Sequence, residues 1–512
     1  MTLTRHEHNL YRVEPTEEDV KKAKALIASH EDSISVLNGR ISELYTQIRR
    51  IEEHKKAHLA EIIKSRGVLT MARRMPGELL ARIFEECIAE GWTRAPVVVS
   101  QVCSTWREAA MDPRVWSHVY IDCDKGNPLS RCSLWLSKSL QCPLVVTLRA
   151  SEHHARVDSV LDMLVSQIGR WTTFTLEVPT VRLANYVFSW ITGESALILK
   201  NVHVHLTEDA QGDHPVNLVV EQQGRLDGLL TAFSSAPCLD NLYLHTDSER
   251  SWVGMPGIKH LSLSLNECRV SGAPPISEPN ILDVLSDCPG LLSCSILIPR
   301  SDSRSIELDQ PARVVTMQNL EELTLILPSS WMLLTHHLRT PTLERLHLRC
   351  PDDPHGYAAD VIRYALRNFF EFSLPPLRLL DMYDIDVSQE DFEVIFTQLD
   401  RLEDLRLHGS EILDSTISKL SAPVNLLPRL RRLDLRWCGH VTGTELADLV
   451  EARANSGGDT SSLEELTIIN CSFVKEQDIM RIARHATCRL LTRSDDYCSK
   501  CSLASYHYMY NE

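Results

Sequence analysis

The chain has 512 residues, 43% of them apolar, enough to bury a large core and to hold two to four structural units. Its 69 acidic against 53 basic side chains give a formal charge of −16, which argues against a non-specific binder of nucleic acid or anionic membranes, except through a local basic patch. No apolar run approaches the about 18 residues of a membrane span, and the opening MTLTRHEHNL lacks a basic-then-apolar leader, so the 15 cysteines are expected as mostly buried thiols in a reducing compartment, cytoplasmic or nuclear.

Residues 1–15 are polar and expected to be flexible. A long amphipathic or coiled-coil helix is predicted over residues 16–66. Thr16 can cap its free backbone donors, and Glu17, Glu18 and Asp19 place carboxylates where the helix dipole favours them. Apolar or small residues follow at Val20, Ala23 and Ile27, and from Ile34 through Leu37, Ile41, Leu44 and Ile48 to Ile51 the steps are 3, 4, 3, 4 and 3. That repeat keeps one seam toward a partner helix. His30, Lys55 and His58 interrupt the seam at either end, although Leu59 and Ile62 extend its apolar character. Two readings stay open: a coiled coil with a second copy or another protein, or a helix lying on the chain's own body. Gly67 is expected to end it.

A compact helical unit is predicted over residues 71–122. Pro76 suits a helix start, and Glu78, Leu79, Leu80, Ile83, Phe84 and Ile88 follow at helical spacing. After Gly91 and Pro96 a second amphipathic run carries Val99, Val102, Cys103, Trp106, Ala109 and Ala110, and a third turn at Pro113 brings in Val115 and Trp116. Three short helices this apolar cannot bury every large side chain among themselves, so some should face a partner.

The strings Met75-Pro76-Gly77-Glu78-Leu79-Leu80-Ala81-Arg82-Ile83-Phe84, Val102-Cys103-Ser104-Thr105-Trp106-Arg107 and Pro113-Arg114-Val115-Trp116 resemble the F-box family, in the variant common in gilled mushrooms and their relatives, where a leading long helix is frequent. The resemblance implies a three-helix F-box that docks an Skp1-like adaptor and, through it, a cullin-RING scaffold. It assigns the helical core and adaptor contact to Met75, Pro76, Leu79, Leu80, Ile83, Phe84, Val102, Cys103, Trp106 and Trp116. Met75 stands where the family usually has Leu, a change a flexible thioether tolerates, and Gly77 slightly weakens the first turn.

Beyond residue 135 the pattern L-x-x-L-x-L recurs. It begins at Leu320, Leu343, Leu402, Leu430 and Leu463, with looser copies beginning at Leu239, Ile258, Leu291 and Leu377. Successive starts lie 19, 33, 29, 23, 34, 25, 28 and 33 residues apart, the irregular spacing of a leucine-rich-repeat array over residues 135–490. Trp171-Phe174-Leu176 and Leu197-Ile198-Leu199 read as degenerate copies. Cys438 and Cys471, each three residues after the last apolar anchor, are expected as buried turn residues; Cys350 sits one residue closer.

The two-residue strand period turns the residues between the leucines to a concave face: Thr324 and Ile326, His347 and Arg349, Asp381 and Tyr383, Arg406 and His408, Asp434 and Arg436, Thr467 and Ile469. Of these, His347, Arg349, Asp381, Tyr383, Arg406, His408, Asp434 and Arg436 are the expected substrate-binding row.

No phosphate-binding loop or H-E-x-x-H run occurs, and no cofactor is expected. Cys498 and Cys501 with Cys488 and His507 resemble half a metal knuckle whose second half is ambiguous, so no metal is expected. Cys103 lies among apolar neighbours that do not favour a thiolate nucleophile. His153-His154 and His336-His337 lack an obvious local carboxylate. The expectation is therefore an α/β protein without catalysis of its own: an N-terminal long helix and a three-helix F-box, then a curved leucine-rich-repeat solenoid, with residues 491–512 as tail or cap. Its expected role is to recruit a protein substrate to an SCF-type ubiquitin ligase. The alternatives are a non-degradative F-box protein and a leucine-rich-repeat scaffold.

Overall fold

A computed structural model describes residues 15–69, 74–206, 224–246, 249–265, 278–299, 313–350, 357–385, 387–421, 424–456, 460–471 and 473–491. These fall into two compact units. The first draws on Met1–Phe84 and Val97–Ala110, the second on Glu85–Pro96 and Met111–Glu512.

The first unit opens with helix α1, Glu17–Leu69. Its start is a reciprocal cap: the Asp19 amide donates to Thr16 Oγ1 at 3.3 Å, while Asp19 Oδ2 accepts from the Thr16 amide at 3.2 Å. The hydrogen bond from the Thr16 hydroxyl holds the Asp19 carboxyl below the usual carboxylate range. Gly67 does not end the helix, which runs two residues further, since one interior glycine costs only about 1 kcal/mol. Every described side chain from Pro15 to Arg66 is exposed.

The second unit is built on one fourteen-stranded sheet whose strand order follows the chain. Its strands are His118–Asp122, Leu144–Arg149, Trp171–Val178, Asn201–Leu206, Asn241–Thr246, His260–Leu265, Ser293–Leu297, Glu322–Ile326, Arg345–Arg349, Leu379–Tyr383, Asp404–His408, Arg432–Arg436, Glu465–Ile469 and Thr487–Leu491. Every neighbouring pair is parallel, so each connection must cross back, and helices such as Val181–Ile191, Tyr357–Ser373 and Gly443–Asn455 lie within those returns. Leu323, Leu346, Leu380, Leu405, Leu433 and Leu466 align in direct register and are all buried. Each contributes about 1.5–3 kcal/mol through that burial, which one repeat alone could not provide.

All nine L-x-x-L-x-L copies read from the sequence coincide with strands, as does Trp171-Phe174-Leu176. Leu197-Ile198-Leu199 does not: the strand begins at Asn201, and its apolar positions are Val202, Val204 and Leu206. The sheet also starts earlier than residue 135, at His118, inside the segment read as the helical unit. Short β-branched strands such as His118–Asp122 carry too few leucines for the pattern to find them.

Four successive turns share a backbone feature. The residues directly after strands, Asp384, Gly409, Trp437 and Asn470, have φ of 53°, 63°, 54° and 56°. Their amides reach the last carbonyl of the next strand, as in Gly409 to Arg436 at 2.8 Å and Trp437 to Ile469 at 2.9 Å. Left-handed backbone costs a Trp more than a Gly or Asn. One residue further, the buried Cys438 thiol donates to Leu407 O at 3.4 Å and the buried Cys471 thiol to Leu435 O at 3.6 Å, each closing onto the preceding strand. The hydrogen bond with Cys471 and burial push the Cys438 thiol up, as suits a structural donor. Cys350, directly after its strand, is buried as well.

Arg453 is the most deeply buried cation among the described residues. Its guanidinium donates to the carbonyls of Ser461 at 3.0 Å, Leu420 at 2.6 Å, Leu427 at 3.0 Å, Pro428 at 3.1 Å and Leu430 at 3.3 Å, joining its helix to the preceding return segment. Burial pulls its pKa down to about 10, which leaves it charged at neutral pH.

Candidate functional site

Helix Gly77–Ala89 starts behind Pro76, whose carbonyl accepts from the Leu79 and Leu80 amides at 3.2 and 3.1 Å. The 3.6-residue period gives it two apolar faces. Leu80 and Phe84 are each 2% exposed, whereas Leu79 and Ile83, one turn apart, are 55% and 44% exposed. Phe84 packs on Trp106 with ring centroids 5.1 Å apart.

The second run is not one helix, as its spacing predicted, but two short ones, Ala95–Val99 and Ser104–Ala109. The turn between them carries Val102 and Cys103, and Arg107 Nε closes it by donating to Ser100 O at 2.9 Å. Breaking the helix leaves Val102 and Val98 exposed. Of the residues expected to meet an adaptor, Pro76, Leu79, Ile83 and Val102 are therefore accessible, Met75, Cys103 and Trp106 half-buried, and Leu80 and Phe84 interior. Trp116 is interior too and belongs to the sheet unit, where it meets the Trp135 ring edge-on at 5.1 Å. It ends a one-turn 3₁₀ helix, Pro113–Trp116, held by Arg114 donating to both Asp112 oxygens at 3.1 and 2.7 Å, which keeps the Asp112 carboxyl low.

The face of the sheet opposite the leucines divides by composition. From Glu322 onward it is charged and paired within itself. Asp381 accepts from His347 Nδ1 at 3.2 Å, and Arg436 grips Asp434 with Nε and Nη2 at 2.9 and 2.7 Å. Asp404, which the sequence reading did not single out, holds Arg406 at 3.2 and 3.1 Å and Arg432 at 2.9 Å. The Arg349 guanidinium lies 4.3 Å over the Tyr383 ring, whose edge neighbours are His408 at 5.3 Å and Trp437 at 6.3 Å. Burial alone would raise Asp381, but the His347 hydrogen bond and the nearby His408 and Arg406 charges hold it below its ordinary value. Arg349, Asp381 and His408 are buried; His347, Tyr383, Arg406, Asp434 and Arg436 are half-buried. Trp437 was missed because it stands beyond the strand period; its left-handed backbone marks it only in the structure.

Between Asn201 and Leu297 the same face carries mostly uncharged polar groups. His203 stacks flat on Tyr243 at 4.2 Å, His205 lies 5.7 Å from His245, and His245 Nδ1 is 2.9 Å from Ser264 Oγ. Asn241, Tyr243, Ser262 and Ser295 line a shallow depression beside them. Burial lowers His203 and His205 to about 4, so both are neutral at pH 7.

The remaining chemistry is local. His153 does have a carboxylate partner, Asp158 at 3.1 Å, and His154 faces Asp124 at 3.6 Å, one across five residues and one brought by the fold. His337 Nδ1 lies 2.8 Å from Arg313 O, and His336 packs beside Tyr364. Cys498, Cys501 and His507 lie outside the described residues. Among the described residues no group of His, Cys, Asp and Glu is arranged to hold a metal ion, and no helix is long and apolar enough to cross a membrane.

Among solved structures, the chain is similar to the Rad7 and Elc1 complex of yeast, at 14% identity and a TM-score of 0.36 over 86% of this chain and 99% of the matched one. It is also similar to a Bacteroides fragilis protein, at 12% identity and a TM-score of 0.26 over 70% and 76% of the two chains. Likeness at this level does not establish a common fold. No curated protein matches the sequence. The family model described as F-box-like matches residues 72–122, and the chain thus carries an F-box-like domain where helix Gly77–Ala89 presents Leu79 and Ile83 outward.

Proposed function

We propose that this protein is the substrate-recruiting subunit of an SCF-type E3 ubiquitin ligase. The F-box-like match over residues 72–122 carries the reading. The domain docks an Skp1-like adaptor, and through it a cullin-RING scaffold, with Leu79, Ile83 and Val102 as the side chains free to enter an interface and Met75, Pro76, Cys103 and Trp106 shaping its edge. Leu80 and Phe84 support this surface from the interior rather than touching the adaptor, and Trp116 is interior to the sheet unit.

The sheet is read as a leucine-rich-repeat solenoid whose strand face receives a protein substrate, with Tyr383, Trp437 and the paired charges around them as the recognition surface. α1 self-associates through its exposed seam. The chain performs no chemistry: it holds substrate lysines near a charged conjugating enzyme, and transfer occurs on other subunits.

The test is co-purification with an Skp1-family adaptor, comparing wild type with Ile83→Asp. A charge on this exposed position costs the fold little but must be desolvated at an interface, so binding should fall at least about 100-fold with an unchanged melting temperature. Wild-type protein that fails to bind the adaptor where a known F-box succeeds removes the docking reading. Adaptor binding without turnover of any captured protein favours a non-degradative F-box role.

A further inference from the structure

From Val20 to Ile62, α1 holds an unbroken heptad frame. With Ile34 at position a and Leu37 at d, the a layers are Val20, Ile27, Ile34, Ile41, Ile48, Lys55 and Ile62, and d carries Leu37 and Leu44 at the centre. The six central seam residues, Ile34 to Ile51, are between 49% and 67% exposed. The continuous apolar seam Ile34–Ile51, about 26 Å of this helix, calls for a partner helix with a matching pattern. We propose that α1 pairs with α1 of a second copy as a parallel, in-register, two-stranded coiled coil. This rests on the self-association reading above and adds the strand number and orientation.

The number of strands follows from side-chain shape. Branched residues at a with leucine at d favour two strands, whereas isoleucine at both favours three or four, and here only Ile48-Ile51 has that character. Lys55 at an a layer points the same way, because in a two-stranded coil its stem can lie across the seam while the ammonium reaches water.

Orientation follows from charge. In a parallel pair each g residue meets the e residue five positions on in the other copy. Asp19 then meets Lys24 and Glu61 meets Arg66, opposite charges at both ends, while Arg40 meets Tyr45 and Gln47 meets Glu52. None of these flanking pairs is like-charged, and the one like-charged layer is Lys55 against its own copy, where both ammonium groups can reach water. The antiparallel alignment that keeps Ile34–Ile51 in contact sets Ile41 against Leu44, and it places Glu31 against Glu52 twice and Lys55 against His30 twice. The parallel form sends both chains out of the same end of α1, so two F-box-like domains and two sheets follow one coil, and a substrate with two recognition sites is held by avidity.

The full-length protein should show the mass of two chains by light scattering at micromolar concentration. In a Leu37→Cys variant, oxidation should join the two introduced thiols, identified as a linked peptide pair absent from wild type. Antiparallel pairing would hold them on the order of 16 Å apart, beyond the about 7 Å reach of a disulfide. A one-chain mass overturns this proposal together with self-association. Three or more chains, or two chains without the Leu37→Cys link, overturn strand number or orientation and leave self-association standing. Adaptor co-purification from the same samples scores the docking reading separately, since no seam residue lies in residues 72–122.

Discussion

The helical unit and the sheet unit treat their conspicuous side chains in opposite ways. In α1 and at Leu79 and Ile83 the large apolar residues are exposed, and the proposed function gives their covering surface to other molecules. In the sheet the leucines are buried, and the charged strand residues, which in the sequence resemble a row waiting for a partner, are paired within the chain through His347–Asp381, Asp404–Arg406 and Asp434–Arg436. Residue type shows that an interaction is needed; only the fold shows whether it is already made.

Breaking an internally made interaction should have the largest effect. Arg453→Met removes a donor from five carbonyls, of which those of Leu420, Leu427 and Leu430 belong to buried residues, at about 4 kcal/mol, and should lower the melting temperature of the sheet unit sharply. Next comes Phe84→Ala, which empties the site beside Trp106 at about 3–4 kcal/mol. It should lose stability and adaptor binding together, whereas Leu79→Ser, on the outer face of the same helix, should lose adaptor binding with stability kept within about 0.5 kcal/mol. Equal destabilisation by both variants, read from thermal unfolding, would erase the distinction between the two faces.

Much of this was readable from sequence where a strong local period carried it. The seam of α1, the start behind Pro76 and the leucine copies all survive as elements because spacing fixes which face a side chain takes. The division of the docking helix was not readable: Leu79 and Leu80 are adjacent and identical, and only the packing of Phe84 on Trp106 decides which turns inward. The break at Ser100–Cys103 escaped because neither Gly nor Pro marks it. The cross-strand pairs escaped because their partners lie 23 to 34 residues apart, a distance set by irregular return segments, as in His347 to Asp381, Arg432 to Asp404 and Arg345 to Glu322. Asp404–Arg406 and Asp434–Arg436 instead lie two residues apart on one strand face, where spacing alone does not show that the two side chains close on each other.

The two halves of the strand face should also separate under acid. His203 and His205 have folded pKa values near 4 against about 6.5 unfolded, so between these values the unfolded chain binds more protons. Stability must therefore fall as pH drops from 6.5 toward 4, by roughly 2–3 kcal/mol for each histidine. Asp381, depressed by its partners, adds to the loss below that range, since its contribution is present above the unfolded value and disappears as pH falls through the folded one. His203→Phe keeps the ring stacked on Tyr243 but takes up no proton, so acid unfolding curves should shift down in pH with little change at pH 7. An unchanged acid transition would mean that the neutral half does not govern it.

The smallest effect belongs to the charged half. Asp434→Asn removes the anion that Arg436 grips, but the guanidinium is 37% exposed and regains water, so the cost should stay below about 1 kcal/mol and shrink further at high salt. A cost above about 2 kcal/mol in chemical unfolding would show instead that the pair is desolvated by its aromatic neighbours and belongs to the core. A small cost has the more useful consequence. A row whose internal pairs contribute little can release them to a bound protein at little expense, so the same residues can be satisfied in the free chain and still recognise a partner.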